Sequence, residues 1–571
     1  MPGTDGAVTP TRPPPPEHVA QIRDPAGQRT QGCSRTDPTH RSPPGPDTPI
    51  IRAFCGVVSA VASLAASIAK VGSNTFLSRV LGFVRDLVVA RIFGADAGTD
   101  AFFVAFKIPN FMRRLFAEGA FSMAFVPVLN EYKEKRGFEA LKAYVDAIAG
   151  TLGAVLLLVT VLGVLGAPLL ILIFAPGFIH EPEQLALATE MLRLTFPYLL
   201  FISLTAFAGG ILNTYERFGI PAFTPVLLNI SLILCAVYLA PLMDRPIVAL
   251  AWGVFIAGIA QLLFQIPFLR QLKLLPRPRL ATGDPGVRKT VKLMVPALFG
   301  VSVGQISLLL DTLLASFLAT GSISWLYYSD RLMEFPLGIL AVALATVILP
   351  RLSQRHAADD PVAFSYTMDW ALRWVLLLGV PCAVGLFLLA GPMIATLFYS
   401  GEFGANDVEK ARLSLMAYAF GLVAFMSIKV LAPGYYARQD MKTPVRIGII
   451  ALVVGMVFNL ILMFPFGHAG LAAATTIAAI TNAGLLLRGL LEDRIFRPER
   501  TWMPLMIKAL IANLLMGIVM SLGVGATADW IAMGLGERIW RLPMWILIGG
   551  AVYAGALLAM GIRPRHFMGR E

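Results

Sequence analysis

Charge is scarce in this chain. Only 14% of its 571 residues are Asp, Glu, Lys or Arg, while 57% are hydrophobic and the mean hydropathy is +0.71. Soluble domains carry roughly 25% charged residues, so an ordinary soluble fold is excluded. Cysteine is scarce too. Cys33, Cys55, Cys235 and Cys382 are scattered with no CxxC pair, which offers neither a disulfide framework nor a zinc site. The six histidines form no HExxH group, and the metalloenzyme built on that motif drops out. The alternating ten-residue pattern of a membrane barrel is missing as well, because the apolar stretches are long and continuous.

What is there is a succession of such stretches. Fourteen are expected, near 70–93, 98–128, 143–174, 186–213, 220–242, 247–269, 291–319, 323–350, 365–398, 411–435, 444–466, 468–490, 502–524 and 541–562. Each is long enough for a helix to cross a hydrocarbon core of about 30 Å, and helices satisfy their own backbone in lipid. The expected class is therefore an all-α polytopic membrane protein. Residues 1–49 are rich in Pro, Thr, Asp and Arg and cannot build a core. Residues 1–61 are read as a disordered or interfacial extension.

The net charge of +12 and pI near 9.6 are read as cytoplasmic-loop bias, not as affinity for nucleic acid. Bases cluster after every second span: Lys133, Lys135 and Arg136; Arg217; Lys273, Arg277, Arg279, Arg288 and Lys289; Arg351 and Arg355; Arg438 and Lys442; Arg494, Arg497 and Arg500. Alternate loops are poor in base. An inner-membrane protein with both termini cytoplasmic follows. One conflict stands: Arg538 and Arg541 fall in the last loop on the opposite side.

The sequence also repeats. Pro168, Phe174 and Gly177 recur as Pro392, Phe398 and Gly401 at an offset of 224, and Pro127 recurs as Pro350 at 223. The Tyr215-x-Arg217 turn recurs as Tyr436-x-Arg438. A duplicated six-helix unit is expected, with both copies in the same orientation and a site between them at mid-depth. The expected division is 62–270, a cytoplasmic linker at 271–290, 291–500, and a final helix pair over 501–571.

Charges within spans are costly and mark function. They concentrate in three: Arg79, Arg85, Asp86 and Arg91 in the first; Asp100, Lys107, Arg113, Arg114 and Glu118 in the second; Asp330, Arg331 and Glu334 in the eighth. Asp311 and Lys429 stand in two others. Arg114 with Glu118, and Arg331 with Glu334, are spaced to pair along one helix. Seven bases still outnumber five acids in those three spans. Because arginine matches phosphate oxygens with paired donors, Arg79, Arg85, Arg113 and Arg331 are the candidates for an anion-binding cavity. Asp86, Lys107, Glu118, Asp330 and Glu334 are candidate supporting charges. Pro109 is expected to kink the second span.

At these residues the sequence resembles a known family. SRVLGFVRD from Ser78, TDAFF from Thr99, NFMRR from Asn110, LNTYERFGIPAFTPVLLNIS from Leu212, YYSDRLMEFPLGIL from Tyr327 and LAPGYYARQDMKTPV from Leu431 resemble the MurJ (MviN) family of lipid II flippases. That family lies within the multidrug, oligosaccharidyl-lipid and polysaccharide exporter superfamily, and the likeness runs from about residue 62 to the end. It implies fourteen helices, two six-helix lobes around a V-shaped cavity, and a last pair lining a groove for the lipid tail. It also implies that Arg79, Arg85, Asp100, Arg113 and Arg331 serve substrate binding.

The implied activity is movement of undecaprenyl-pyrophosphate-linked peptidoglycan precursor to the periplasmic leaflet by alternating access. No cofactor is implied beyond coupling to sodium or to the membrane potential. The implied partners are lipid II, membrane lipids and the cell-wall synthesis and division machinery. Two rivals share the architecture. A flippase for another polyprenyl-pyrophosphate glycan would use the same cationic logic. A cation-coupled multidrug exporter would need acidic sites, which the surplus of base disfavours. An enzyme such as a membrane glycosyltransferase would need an acidic metal cluster or a histidine nucleophile, and the sequence presents neither.

Overall fold

A computed structural model describes residues 72–562. The expectation for residues 1–61 lies outside these, and so does the side chain of Glu118. The described chain is helical, with a single isolated bridge between Ser400 and Phe403.

Helix α1 (72–93) and α2 (Ala97–Met112) form the first hairpin. Asp96 caps α2 by accepting the Thr99 N–H at 2.8 Å. Pro109 lies inside α2 and has no N–H to give to the Ala105 carbonyl four residues back. That carbonyl instead accepts the Thr195 hydroxyl at 2.9 Å. Past the proline the helix widens into a π segment, Arg113–Phe121, before α3 (Ser122–Lys135). The expected kink is thus a change of helical pitch beside the charged residues, a device found often at functional sites.

There follow α4 (Gly137–Leu165), α5 (Ala167–Phe174), α6 (Pro182–Thr195), α7 (Tyr198–Thr214), α8 (Gly219–Leu234) and α9 (Val248–Gln271). The second half of the chain begins with α10 (Pro285–Ala315) and α11 (Ser322–Pro336). A further π segment follows α8 at Cys235–Leu239, and another, Leu337–Ala341, leads from α11 into α12 (Val342–Ala357). Then come α13 (Pro361–Leu388), α14 (Ala390–Leu397), α15 (Ala405–Tyr436) and α16 (Lys442–Glu492). Helices α17 (Trp502–Gly523), α18 (Thr527–Ala532) and α19 (Leu535–Ala559) close the described chain.

Among the described residues, ten helical runs are long and apolar enough to cross a membrane, where fourteen were expected. Part of the difference is local. The run from α2 to α3 carries too much charge to read as a plain span, and α16 is continuous over 51 residues. A straight helix of that length would reach about 76 Å, far beyond one bilayer. Gly467, at φ 55° and ψ −132°, breaks it. The chain turns back so tightly that a Cβ on Gly470 would strike the Leu462 carbonyl. The break falls where the sequence separated 444–466 from 468–490.

Large apolar side chains face outward along the helices. Leu165 is 72% exposed, Phe464 81% and Leu522 83%, a surface suited to lipid tails and not to water.

Two connectors are fastened in the same way. Asp146 on α4 is buried, pairs with Lys142, and accepts the Arg277 N–H at 2.7 Å; its own carbonyl accepts the Arg279 N–H. Asp369 on α13 is buried, pairs with Arg373 at 2.6 Å, and accepts the Trp502 indole N–H at 2.6 Å and the Glu499 N–H. These aspartates stand 223 residues apart. Each holds the segment that leaves its half of the chain.

Candidate functional site

Charged residues of α1 and α11 meet between the two halves, around Asp86. Its carboxylate is 2% exposed. One oxygen accepts Arg85 Nη2 at 2.6 Å and Nε at 2.9 Å, and the other accepts Arg331 Nε at 2.9 Å. Arg85 also donates to Asn229 Oδ1 at 3.0 Å, and Tyr327 donates its hydroxyl to Asp86 at 3.0 Å. A buried carboxylate left with one partner is costly; here two guanidiniums and a phenol satisfy it. Arg331 keeps 38% of its side chain exposed and reaches Glu334 at 3.0 Å, the pairing that the spacing suggested.

Beside this cluster lies a cavity of about 210 Å³ lined by Phe103, Lys107, Arg114, Asp311, Asp330 and Arg331, among others. The Lys107 ammonium bonds the Thr312 hydroxyl, and Asp311 accepts the Asn459 amide N–H at 2.9 Å. Asp330 and Glu334 are on the wall as well. The aromatic side of the cavity is ordered: Phe103 stacks on Tyr327 with centroids 4.0 Å apart.

The sequence candidates therefore separate. Arg331, Lys107, Asp330 and Glu334 line the cavity. Arg113 is half-buried on the π segment and donates to Asn110 Oδ1 at 2.8 Å, and Asn110 is itself on the wall. Arg79 is exposed, and its guanidinium lies over Gly338 in the π segment after α11, where a Cβ would collide with it. Arg85, at 7% exposure, is spent on Asp86 and Asn229 and does not reach the cavity wall.

Asp100 departs furthest from the expectation of a ligand contact. It is 2% exposed, and both oxygens are engaged by the start of α11: Gly321 N–H at 2.7 Å, Ser324 N–H at 2.8 Å and the Ser324 hydroxyl at 2.5 Å. It caps a helix of the other half, where a negative charge meets the positive end of the helix dipole.

Other contacts cluster at that same end. Gly177 N–H donates to Ser316 Oγ at 3.0 Å, Glu402 N–H to the Arg91 carbonyl at 3.4 Å, and the Tyr328 hydroxyl to the Gly94 carbonyl at 3.4 Å. Gly321 sits at φ +93°, and a Cβ there would press on the Ala95 carbonyl. The halves are thus closed together at the Asp100 end. At the opposite end, Lys289 of α10 pairs with Glu131 of α3, and Tyr144 bonds Thr290 at 2.7 Å.

Tyr327 and Asn229 were not anticipated as members of the site. Tyr327 precedes Arg331 by one helical turn inside YYSDRLMEFP, so the spacing could have placed it beside the arginine. Asn229 carried no such signal, because its partner lies 144 residues away.

A bundle of membrane-length helices closed around a partly buried cluster of arginines and carboxylates from both halves points to a membrane transporter. The comparisons then give the family. The family model described as "Lipid II flippase MurJ" matches residues 89–539, and the chain belongs to that family. It is 49% identical to a probable lipid II flippase MurJ of Haemophilus influenzae, over 86% of this chain and 99% of the relative. It is 43% identical to a lipid II flippase MurJ of Burkholderia cenocepacia, over 88% and 98%. Among solved structures it resembles a lipid II flippase MurJ in an inward closed conformation, with TM-score 0.73 and 28% identity over 85% of this chain and 97% of that one. An inward-facing multidrug resistance transporter described as of the MATE family and MOP superfamily shares the fold at TM-score 0.60 and 14% identity, over 73% of this chain and 94% of that one.

Proposed function

We propose that this protein carries lipid II, the undecaprenyl-pyrophosphate-linked peptidoglycan precursor, from the cytoplasmic to the periplasmic leaflet of the inner membrane by alternating access. The observation that carries the reading is the cationic cluster between the halves, with Arg331 partly open to the cavity; Arg79 is exposed over Gly338, in the segment that follows α11. A pyrophosphate presents oxygens in the geometry that guanidinium forks match. Arg79, Arg113 and Arg331 are the direct contacts, with Lys107 supporting. Arg85 and Asp100 act as positioning residues, one holding Asp86 and one closing the halves.

The architecture in this reading is two parallel six-helix lobes and a last pair, fourteen crossings in all. Its support is the spaced sequence matches, the two π segments after α2 and α11, and the paired latches at Asp146 and Asp369. The basic linker at 271–290 lies on the cytoplasmic side, with both termini, and the Asp100 end faces the periplasm. A cavity of about 210 Å³ admits a pyrophosphate-sized group but not a glycopeptide, so the halves must part for loading. Both ends are joined in the described arrangement, and the cytoplasmic contacts through Lys289 and Tyr144 open first. The lobes then rock, the contacts of Asp100 and Gly177 release, and the head group leaves while the prenyl tail stays in lipid.

The membrane potential supplies a driving force, since one charge crossing 100 mV is worth about 2.3 kcal/mol. A sodium site at Asp311 fits poorly: that carboxylate receives an N–H from Asn459 and lies in the field of Lys107, which already provides positive charge. No step is routed through sodium.

The test is rescue of growth in cells depleted of their own lipid II flippase, with full-length protein and with Arg79→Ala, Arg113→Ala and Arg331→Ala, each checked for insertion. Rescue lost in the variants supports the reading. Absence of rescue by inserted wild-type protein points to another polyprenyl-pyrophosphate glycan.

A further inference from the structure

Arg538 conflicted with the loop-charge rule because it sits in a loop region on the base-poor side. The structure gives it a different character. It is only 6% exposed, on the first turn of α19. Its Nη1 donates to the carbonyls of Ala395 at 2.5 Å and Tyr399 at 3.3 Å, at the end of α14. Its Nε is buried with no acceptor. Among the described residues no carboxylate pairs with it. The nearby acids are engaged elsewhere: Glu537 pairs with Arg541 at 2.8 Å, and Asp407 accepts Gly404 N–H and the Trp325 indole N–H, each at 2.9 Å. Glu402 is exposed and does not line the space beside Arg538.

That space is a cavity of about 310 Å³ bounded by Tyr399, Ser400, Gly401, Gly404, Ala405, Leu535 and Arg538. Ala405 starts the 32-residue helix α15, with Gly404 as its cap. First-turn amides have no intrahelical acceptor, and the helix dipole adds positive potential there. A second cation, Arg91, acts on Arg538 with like charge, and its Nε is also buried without a partner. Capping the end of α14 accounts for Nη1. It leaves a buried guanidinium without a counter-ion, beside a helix N-terminus, on the wall of an open cavity.

We infer that this cavity, between the Tyr399–Ala405 turn and α19, binds a phosphate-type anion through Arg538. The site is separate from the central cluster and does not depend on what the central cavity transports. Two sources carry that chemistry: a phospholipid head group, and free phosphate. Ile539 and Trp540, the next two residues of α19, are 55% and 56% exposed, the kind of apolar and aromatic side chains that sit at a membrane interface.

The experiment uses the full-length protein in uncharged detergent. Its unfolding temperature is measured with inorganic phosphate, with phosphatidylglycerol, and with diacylglycerol as the phosphate-free control. At least one phosphate-bearing probe is expected to raise it by about 2 °C or more, and diacylglycerol is not. A response to phosphate alone marks a free-anion site, and a response to phosphatidylglycerol a head-group site. Arg538→Gln is expected to lose the response, and Arg541→Gln to keep it. Ser400→Asp places a carboxylate in the cavity; it is expected to raise the unfolding temperature by itself and to abolish the response. That variant decides the matter even where Arg538→Gln fails to fold. A full response in Arg538→Gln or Ser400→Asp, or no response in the wild-type protein, overturns the inference.

Discussion

Asp86 on α1 and Arg331 on α11 are joined at 2.9 Å across the two halves of the protein. The pair is half-covered: Asp86 is 3% exposed at the side chain and Arg331 38%. Arg331 is therefore both a strut between the halves and a cation available to the cavity. Binding of an anion to Arg331 would compete with Asp86, and this competition links head-group binding to the spacing of α1 and α11.

Asp86→Asn removes the shared counter-ion of two arginines. Breaking a buried pair from one side costs about 3 kcal/mol or more, with less contributed by the exposed Arg331. The unfolding temperature is expected to fall, and transport to drop by at least about tenfold. Asp86→Asn with Arg85→Gln is expected to recover stability but not transport. Thermal unfolding and growth rescue read the two effects separately.

Asp100→Asn tests closure. The amide keeps one acceptor oxygen, so either Gly321 N–H or the Ser324 donors lose theirs and meet the NH2 group, and the charge that meets the helix dipole is gone, a loss of about 1 kcal/mol or more. The Asp100 end is expected to open more often. A cysteine at Ser322, buried in the closed arrangement, would then react faster with an impermeant thiol reagent added from that side. An unchanged labelling rate would contradict the closing role.

Gly177 and Gly401 offer a steric version of the same test. A Cβ on Gly177 would run into the Ser316 backbone, and one on Gly401 into the Arg91 carbonyl; Gly401 also sits at φ +62°. Gly177→Val is expected to hold the Asp100 end apart and to abolish rescue while the protein still inserts. The same cysteine at Ser322 should then label at a rate near that of Asp100→Asn or above it.

The opposite end has a pH signature. Lys289 holds the Glu131 carboxyl below its ordinary range, chiefly by hydrogen bonding. A depressed carboxyl favours the joined state above its ordinary pKa and loses that contribution as pH falls through the lowered value. Docking of α10 on α3 is thus expected to be constant from pH 8 to about 5 and to loosen only in stronger acid. The effect should be small because the pair is open to solvent. Cross-linking of a cysteine pair at Glu131 and Lys289 would not reproduce this; fluorescence quenching between labels on α3 and α10, with the native pair intact, would.

Much of this was legible in the sequence, and the gaps have physical causes. The all-helical membrane class, the Pro109 irregularity and the Arg331–Glu334 pair follow from hydrophobic length, a missing N–H and helical spacing, all local quantities. The resemblance named the arginines. What could not be read was which charges cancel which. Arg85 and Asp86 are neighbours in sequence, yet their saturation depends on Asn229 and Tyr327 from distant helices. The resemblance named Asp100 as a substrate contact; that its carboxylate is engaged by the start of α11, 221 residues on, is a long-range contact that no local spacing reports. Asp146 and Asp369, 223 residues apart, passed unnoticed because each has a base four residues away that suggests a simple surface pair.

The most direct measurement is the fraction of lipid II that an externally added, membrane-impermeant head-group-cleaving enzyme can reach in cells whose own flippase is inactivated. Wild-type protein is expected to restore cleavage, and inserted Arg331→Ala to leave lipid II protected inside, with Arg331→Lys between them. Full cleavage with Arg79, Arg113 and Arg331 all replaced by alanine would contradict transport through the cationic cluster.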